Sequence, residues 1–467
     1  MHSLDTEQIA KWARGKWFRA PAPDCIHGFA FDSRNIAQGD IFVALRTGKR
    51  DGHEFLGDAE KAGACAAIVE HRSMRTTLPQ LLVDDTLDAL HRIAAGMRKE
   101  FREPLVGITG SCGKTSTKEL LSLLLGEGIL STQGNLNNFI GMPLTLTRLR
   151  SGLHKGAVVE LGISRSGEME PLAKILRPDI AVVTNVTEAH LEGLGSIEGV
   201  ALEKCALAAV VERSGRAVFP ASCLQWEPFR ELRCKVLVTA SMDEATPELP
   251  APNYTLARYQ SFHSADSAHT DMLVFMPGQS SFSRFTLPLV SQGMRSNVAL
   301  ALAVALDMGV DVQALRERLP LWKAARMRGE VRNIDGTDYY IDCYNANPAS
   351  MQDAVQLFRE RFPERERLLI LGCMNELGPK AAQLHRELGR KIGFCAGERF
   401  CLVGPNAGSL CEGLLEAGAG EERISICAEH SAARAVLEQF HNNKGAVLLK
   451  GSRSYCLETL LPQVILS

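Results

Sequence analysis

The hydrophobic and polar positions of this chain follow two alternating patterns. Short, continuous apolar runs, as at 105–106, 157–160 and 180–185, predict strands that are covered on both faces of a parallel sheet. Between such runs, apolar residues spaced three and four apart predict helices, as over 85–101 and 115–125. The repeated order of strand and helix predicts an α/β fold.

Changes in this pattern divide the chain into three predicted domains. Residues 1–84 mix short strands and turns with a helix near 59–67, and predict a small α/β domain. Residues 85–325 predict a central domain built on a parallel sheet. Within it, the polar and proline-punctuated stretch 244–283 predicts a peripheral insertion or irregular hairpins. Residues 326–467 repeat the strand and helix order and predict a smaller Rossmann-like domain.

A glycine-rich turn joins the first strand and helix of the central domain. It spans 107–116, and Gly110, Gly113, Lys114 and Thr115 keep the spacing of a short phosphate loop. Backbone N–H groups and a helix N-terminus attract phosphate there. Lys114 can reach terminal phosphates, and the Thr115 hydroxyl can join a magnesium shell. The turn therefore predicts nucleotide binding; an ordinary glycine turn is the alternative.

Three single residues are candidates for chemistry, each with a plain structural alternative. Glu160 ends a predicted strand, at the edge where open α/β sheets bind ligands, and can hold magnesium or be a solvated carboxylate. His190 follows another strand and can be a metal ligand or a hydrogen-bonding loop residue. Lys204 lies in an apolar helical stretch, where a lysine usually extends its amine to water.

Polar clusters occur at three further turns. Asn135, Asn137 and Asn138 are more amides than a turn needs, and they predict ligand contacts. The segment 342–348 lies between a predicted strand and helix, again at the ligand-binding edge. The segment 450–454 follows a strand and is predicted to open a helix, as an anion site or as a plain N-cap with two surface cations.

Composition excludes several functional classes. Of 467 residues, 45% are hydrophobic and 23% charged, and the net charge of -2 with no long basic run argues against nucleic-acid or membrane-surface partners. No apolar run approaches the roughly 20 residues of a membrane span. Thirteen cysteines without zinc spacing, and an N-terminus without a signal-peptide pattern, predict reduced thiols in a cytoplasmic protein.

Taken together, these motifs resemble the Mur ligase family, in the branch that joins D-alanyl-D-alanine to UDP-N-acetylmuramoyl-tripeptide. The likeness follows the family order along nearly the whole chain. The segments that carry it, besides the phosphate loop, are 32–34, 39–45, 50–53, 134–138, 141–143, 344–347 and 450–454. The first three resemble the family's UDP-sugar-binding domain, and the last two are the most specific to this branch.

The resemblance implies an ATP- and Mg²⁺-dependent ligase and assigns roles to residues. Separately, we expect a cytoplasmic protein that is a monomer. The implied catalytic residues are Lys114, His190 and Lys204. The implied ATP contacts are Thr109, Gly110, Ser111, Cys112, Gly113, Lys114, Thr115, Ser116, Asn297, Arg328 and Asp342. The implied magnesium ligands are Thr115, Glu160, His190 and Lys204, the lysine in carbamylated form. The implied substrate contacts are Ser33, Arg34, Asn135, Asn137, Asn138, Tyr344, Asn345, Lys450 and Arg453.

Two positions depart from the family pattern. Ser296 stands where the family commonly has histidine, and Cys373 stands where it has an acidic residue. Neither departure touches the phosphate loop or the implied metal positions, so an active enzyme is expected. The alternatives are a folylpolyglutamate synthase-like ligase, the neighbouring Mur ligase that adds a single amino acid, a non-catalytic nucleotide-sugar-binding regulator, and a generic P-loop kinase or GTPase.

Overall fold

Three main sheets, which follow one another along the chain, confirm the predicted α/β fold. The structure is a computed structural model, and it describes residues 4–18, 26–48, 50–263, 269–441 and 444–461. The ends of the predicted first and third domains, at residues 1–3 and 462–467, lie outside the described residues.

The first sheet has five short strands. Their spatial order is Lys16–Phe18, Gln80–Leu82, Ala66–Val69, Asp40–Val43 and Gly28–Ala30. The first pair is antiparallel and the others are parallel. Because side chains alternate along a strand, Ile41 and Val43 pack on one face against helices Thr6–Ala13 and Thr86–Glu100, whereas Phe42 packs on the other against helix Leu56–Lys61. Smaller elements are the 3₁₀ turns Ser33–Asn35 and Gly52–Phe55 and the hairpin Arg46–Thr47 with Arg50–Asp51.

The second sheet has nine strands. Their order is Ser283–Pro288, His269–Phe275, Tyr254–His263, Lys235–Ser241, Arg216–Pro220, Ile180–Val183, Leu105–Thr109, Gly156–Glu160 and Ile129–Ser131. The seven strands from Tyr254–His263 to Ile129–Ser131 pair in parallel, and the other two are added antiparallel at one edge.

The polar stretch 244–283 was expected to be a peripheral insertion or irregular hairpins, and the structure corrects this. It supplies two regular strands to the central sheet, and part of it, 264–268, lies outside the described residues. In strand Tyr254–His263, the buried residues Tyr254, Ala257 and Tyr259 are separated by partly exposed ones. A strand with one solvated face has few consecutive apolar residues, which is why the sequence pattern concealed this strand. At strand His269–Phe275 the apolar run 272–276 is flanked by polar residues and Pro277.

Helices cover both faces of the central sheet. Lys114–Leu125 and Gln292–Asp307 pack on one face, where they enclose Val106, Ile108 and Val182. Met169–Leu176 and Ile197–Ala209 pack on the opposite face. The remaining helical elements of this region are Gly141–Leu146, Leu191–Leu194, Ala221–Gln225, Glu227–Arg230, Val312–Arg318 and Leu319–Leu321.

The third sheet has six strands. Their order is Glu330–Ile334, Thr337–Asp342, Ala446–Lys450, Arg367–Gly372, Glu398–Val403 and Ile424–Cys427. Only the first pairing in this order is antiparallel. Helices Pro348–Arg361, Ala381–Ile392 and Ala407–Glu416 cover one face, and His430–His441 covers the other. Two further 3₁₀ turns are Gly378–Lys380 and Glu421–Arg423.

The predicted helix after Lys450 is wrong. The strand that ends there is followed by two 3₁₀ turns, Arg453–Tyr455 and Leu457–Leu460. Cys456, between them, has a left-handed backbone with φ of 43°, which interrupts any continuous helix. The segment 450–454 therefore has no helix N-terminus with which to bind an anion.

A single apolar cluster extends from the central sheet to the third sheet. It includes Val159 and Val183 of the former and Leu369 and Leu448 of the latter. The two regions are therefore packed together through buried side chains as well as through polar contacts. In the part of the chain that the structure describes, no helix is long and apolar enough to cross a membrane.

A buried carboxylate, Glu398, is paired with arginines at the third sheet, and its removal can be tested. Glu398 is fully buried, and it accepts hydrogen bonds from Arg359 Nε at 2.7 Å, Arg359 Nη2 at 2.8 Å and Cys395 N at 3.0 Å. Glu398→Ala removes the carboxylate partner of both Arg359 and the buried Arg367, whose Nε lies 3.3 Å from Glu398 Oε1, so we expect a loss of about 3–5 kcal/mol in the free energy of unfolding. Urea denaturation measures it.

The matched control for this prediction is Glu412→Ala. Glu412 pairs with Arg386 across 3.7 Å at the surface, and exposed pairs contribute about 0–1 kcal/mol. Equal effects of the two substitutions would contradict the role given to Glu398.

Candidate active site

A cavity of about 740 Å³ lies between the carboxyl ends of the central and third sheets. Most of the predicted site residues line it. From the central region these are Ser111, Cys112, Gly113, Lys114, Thr115, Ser116, Asn137, Asn138, Glu160, His190 and Asn297. From the C-terminal region they are Arg328, Asp342, Tyr344, Asn345 and Lys450. The structure thus brings together residues more than 300 positions apart, while their individual roles stay predictions.

The phosphate loop has the backbone that its glycines require. Gly110 has φ of 146°, and a Cβ there would lie 1.9 Å from Thr184 Oγ1. Gly113 has φ of 78°, and a Cβ there would lie 2.4 Å from Asn297 Nδ2. Gly113, the residue before helix Lys114–Leu125, has no side chain with which to cap its first turn. A helix N-terminus whose N–H groups are left uncapped and face a cavity is an anion site.

Asn185 holds the loop in this shape, and sequence reasoning missed it. Its Oδ1 accepts hydrogen bonds from Ser111 N at 3.1 Å and Cys112 N at 3.0 Å. Ser111 Oγ in turn donates to the Thr187 carbonyl at 2.9 Å. The only available signal was that Asn185 follows strand Ile180–Val183, at the same sheet edge as the loop.

Lys114 is the first residue of the helix that follows the glycines of this loop. Its Nζ donates to the Gly110 carbonyl at 2.7 Å. Burial lowers the pKa of the amine, an effect that nearby Glu160 and Cys112 oppose and Arg328 reinforces. A bound phosphate would provide the negative charge that the buried ammonium lacks.

Glu160 is fixed through both carboxylate oxygens. Thr115 Oγ1 donates to its Oε2 at 2.9 Å, and Asn137 Nδ2 donates to its Oε1 at 2.8 Å. A hydroxyl and a carboxylate in contact are hard oxygen donors of the kind Mg²⁺ prefers.

The donor set suits magnesium bound together with a nucleotide. Within the described ranges, no group of three or more histidine, cysteine, aspartate or glutamate side chains could hold a metal alone. Magnesium in phosphate-transfer sites commonly takes one or two carboxylates, with phosphate and water as its other ligands. The residues present fit that mode of binding.

Lys204 and His190 have unusual surroundings. Lys204 is completely buried, contrary to the usual expectation for a lysine, and its Nζ has no hydrogen-bond partner among the described residues. Burial, and then the charge of Lys114, hold the pKa of this amine well below its usual range. His190 lines the cavity with a left-handed backbone, φ 55°, and its Nδ1 is hydrogen-bonded to Glu376 of the C-terminal region.

The C-terminal wall of the cavity carries paired charges. Lys450 Nζ lies 3.0 Å from Asp342 Oδ2 and donates to the Asn345 carbonyl at 2.8 Å. Burial raises the pKa of the Asp342 carboxyl, and Lys450 opposes that shift. The Arg328 guanidinium lies over the Tyr344 ring, 4.1 Å from its centre, which orients a cation at the cavity.

Asp353 is a second residue that sequence reasoning missed. It lies on helix Pro348–Arg361 and accepts from Ser291 Oγ at 2.6 Å and Gly293 N at 2.9 Å, at the start of helix Gln292–Asp307. That helix carries Asn297, whose Oδ1 is buried without a hydrogen-bond partner among the described residues. Asp353 thus joins the two regions beside an amide that is free to contact a ligand. A carboxylate in an amphipathic helix gives no sequence signal of this role.

Several predicted contacts lie outside the cavity lining. Thr109 is the last residue of strand Leu105–Thr109, and its Oγ1 donates to the Leu161 carbonyl at 3.0 Å. Asn135 is exposed in its turn, and the Arg453 guanidinium pairs with Glu458.

Ser33 and Arg34 lie on the first sheet's 3₁₀ turn. The Asp32 carboxylate accepts from Arg34 Nε at 2.9 Å and Nη2 at 2.7 Å, and these bonds lower the pKa of Asp32 to about 2. The predicted substrate roles of Ser33 and Arg34 stay predictions.

The structure shows the environments of Ser296 and Cys373, the two residues that depart from the family pattern. Ser296 lies on helix Gln292–Asp307, and Cys373 is buried with its backbone N–H donating to the Val403 carbonyl at 2.9 Å. Burial raises the pKa of the Cys373 thiol to about 11, so it is an unreactive packing residue at neutral pH.

Comparison with known proteins agrees with this geometry. Three family models match in succession: the Mur ligase family catalytic domain at residues 25–98, the Mur ligase middle domain at 108–305, and the Mur ligase glutamate ligase domain at 326–453. The UDP-N-acetylmuramoyl-tripeptide–D-alanyl-D-alanine ligase of Escherichia coli is 30% identical over 92% of this chain and 92% of its own length. The chain belongs to the Mur ligase family.

Solved structures extend the likeness to the whole Mur ligase fold. A MurF crystal structure from Acinetobacter baumannii superposes with a TM-score of 0.85 and 26% identity, covering all of both chains. MurF from Thermotoga maritima in complex with ADP gives 0.76 and 26%, over 93% of this chain and 96% of that one. A Mycobacterium tuberculosis folylpolyglutamate synthase complexed with ADP gives 0.59 at 14% identity over 78% of this chain and 91% of that one, a likeness of fold alone.

Gly113 gives a direct test of the phosphate loop. In Gly113→Ala the new methyl meets the Asn297 amide at 2.4 Å on a backbone that L residues rarely adopt. We expect the loop to shift and the stabilisation by ADP with Mg²⁺ to be lost, as measured by thermal unfolding with and without nucleotide.

Gly152→Ala is the matched control. It imposes a similar positive φ, 80°, but a Cβ there meets nothing within 4 Å. It should lower the melting temperature slightly and keep the shift with ADP. An unchanged ADP shift in Gly113→Ala would contradict the loop assignment.

Proposed function

We propose that this Mur ligase joins D-alanyl-D-alanine to UDP-N-acetylmuramoyl-tripeptide, with ATP cleaved to ADP and phosphate. The observation that carries the proposal is the shared cavity. A phosphate loop on one wall faces, on the other, the Tyr344 and Lys450 segments that are most specific to this branch. The substrates are those in the name of the Escherichia coli relative, which aligns along nearly the whole chain.

The reaction requires activation of a carboxylate. A carboxylate is a poor electrophile because its leaving group would be oxide. Transfer of the γ-phosphoryl group of ATP to the terminal carboxylate of the tripeptide gives an acyl phosphate and ADP. The uncharged amine of the dipeptide then attacks the acyl carbon, and inorganic phosphate leaves as the amide forms.

Phosphoryl transfer depends mainly on position and charge. Lys114 is tethered to the Gly110 carbonyl and aimed along the loop, so it can neutralise charge that develops on the γ-phosphate. Thr115 and Glu160 would hold magnesium, which when bound adds positive charge at the phosphates. His190 and Lys204 would serve a second magnesium.

Carbamylation of Lys204 is supported by its isolation. A buried ammonium without a partner is unstable, and burial lowers the pKa of the Lys204 amine, which favours its neutral and nucleophilic form. The amine adds to the carbon of CO₂ and loses a proton, which yields an N-carboxylate. This converts an unsatisfied donor into an oxygen ligand suited to magnesium.

The acyl phosphate must be protected from water. The C-terminal region covers the loop in the structure, with Arg328 and Asp342 on the same cavity as Lys114. Asn297, beside Gly113, would contact the adenine, and Asp342 the ribose. We further propose that the enzyme works as a cytoplasmic monomer without a nucleic-acid partner, since its substrates are soluble nucleotides and a dipeptide.

The first test is phosphate release from ATP and Mg²⁺ with both substrates, using tripeptides that carry either meso-diaminopimelate or lysine. We expect release only when the tripeptide and D-alanyl-D-alanine are both present. Release with a single amino acid instead would move the chain to a neighbouring ligase. No release with any acceptor, despite nucleotide binding, would favour a non-catalytic binder.

Lys114→Ala should reduce phosphate release by at least about 10²–10³-fold, because it removes the cation nearest the transferred group. Lys174→Ala is the control, since Lys174 is an exposed lysine of the same region that pairs with Glu170. Near-normal turnover of Lys114→Ala would overturn the mechanism.

Two substitutions at Lys204 separate chemistry from packing. Lys204→Ala should be severely impaired and partly rescued by short carboxylates such as formate or acetate, which can occupy the space left by the side chain. Lys204→Met fills that space and should be impaired without rescue. Turnover is measured at equal ionic strength, and full activity of either variant would refute the carbamate.

A further inference from the structure

Two residues with strained backbones meet where the C-terminal region contacts the central one. His190 has φ of 55° and Glu376 has φ of 61°, both in the left-handed region that non-glycine residues rarely occupy. The Glu376 carboxylate is hydrogen-bonded to His190 Nδ1, and the Glu192 N–H donates to the Glu376 carbonyl at 3.0 Å. The contact therefore involves both side chain and backbone.

Such strain persists only where surrounding structure fixes it, and it concentrates at functional sites. Here each strained residue is held by the other region of the protein. Gly378, two residues beyond Glu376 and with φ of 60°, packs against Glu192, where a Cβ on Gly378 would lie 3.5 Å from Cα. The chain around Glu376 is thus shaped to approach the His190 turn closely.

The hydrogen bond between His190 and Glu376 also determines which nitrogen of the imidazole carries the proton. An ionised carboxylate can only accept, so His190 Nδ1 carries the proton in this pair. In the neutral ring Nε2 then holds the lone pair. His190 lines the cavity, while Glu376 does not. Metal-ligating imidazoles are commonly oriented by a carboxylate that accepts a hydrogen bond from the ring nitrogen that does not bind the metal.

We propose that Glu376 is a positioning residue, which fixes the orientation and tautomer of His190 and so completes the metal site only when the C-terminal region is in place. This rests on the proposed function, in which His190 is a magnesium ligand. Because Glu376 belongs to the third sheet's region and His190 to the central one, the contact links closure of the cavity to the readiness of the metal site.

The test compares Glu376→Ala and Glu376→Gln in the full-length protein. Glutamine retains an acceptor for Nδ1–H and loses the charge, whereas alanine loses both. The control is Glu364→Gln, at an exposed carboxylate beyond the far end of helix Pro348–Arg361. Long-range ¹H–¹⁵N spectra of ¹⁵N-histidine-labelled protein report the His190 tautomer, with His190→Gln identifying its signals.

We expect a fixed Nδ1–H tautomer in the wild type and control, and averaged ring nitrogens in Glu376→Ala. Mn²⁺ affinity, measured by water proton relaxation with a non-hydrolysable ATP analogue, should fall about 10–100-fold in Glu376→Ala and less in Glu376→Gln. An unchanged tautomer and unchanged Mn²⁺ affinity in Glu376→Ala would overturn the inference.

The two proposals fail in different ways. A wild-type protein that binds no Mn²⁺ would overturn the metal site of the proposed function, and with it the role of Glu376 in completing that site. The tautomer spectra need no metal, so an averaged ring in the wild type would overturn the inference while the ligase proposal stood.

Discussion

The structure depends on one constraint. The carboxyl ends of two largely parallel sheets face each other across the cavity. Each sheet alone presents loop amides and strand-end carboxylates to solvent. Facing one another, they line a cavity at which charged side chains such as Glu160 and Lys450 are buried. Electrostatic interactions strengthen in such surroundings, so in the proposed mechanism the residues that cost stability would neutralise a transferring phosphoryl group.

Burying charge in this part of the molecule costs stability, and particular ionisable side chains show that cost. Lys114 and Lys204 are amines whose pKa burial depresses, and Asp342 is a carboxyl whose pKa burial raises. Lys450 compensates Asp342 across 3.0 Å, whereas Lys204 Nζ has no partner among the described residues. Buried polar groups are normally satisfied, and an exception calls for an explanation. The carbamylation proposed for Lys204 would supply that explanation, and on that proposal the buried lysine favours an active enzyme over a decayed regulator.

The parts of the fold that depend on local pattern could be predicted. The strand Leu105–Thr109, the loop after it and helix Lys114–Leu125 follow from apolar runs, glycine spacing and helical periodicity. The positions of Glu160 and Asp342 follow from the rule that parallel strands end at one edge. The predictions that were wrong also concerned local pattern. Strand Tyr254–His263 has no apolar run longer than two residues, and the apolar run 272–276 is flanked by polar residues and Pro277. A left-handed Cys456 stops the helix expected after Lys450.

Residues that act across regions could not be predicted, because their partners are distant in the chain. Asn185 looks like a strand end until Ser111 and Cys112 are found donating to it. Asp353 and Glu376 look like surface carboxylates until the C-terminal region is placed against Ser291 and His190.

Cys373 shows why the contacts between the two regions matter more than the identity of a single motif residue. It is buried three residues before Glu376, and its backbone remains paired to the third sheet. The turn that carries Glu376 is in contact with His190, although Cys373 stands where the resemblance implies an acidic residue. The hydrogen bonds that join Glu376 to the central region, at His190 Nδ1 and Glu192 N, involve no atom of Cys373. The contact between the regions therefore depends on this turn and not on the side chain at 373.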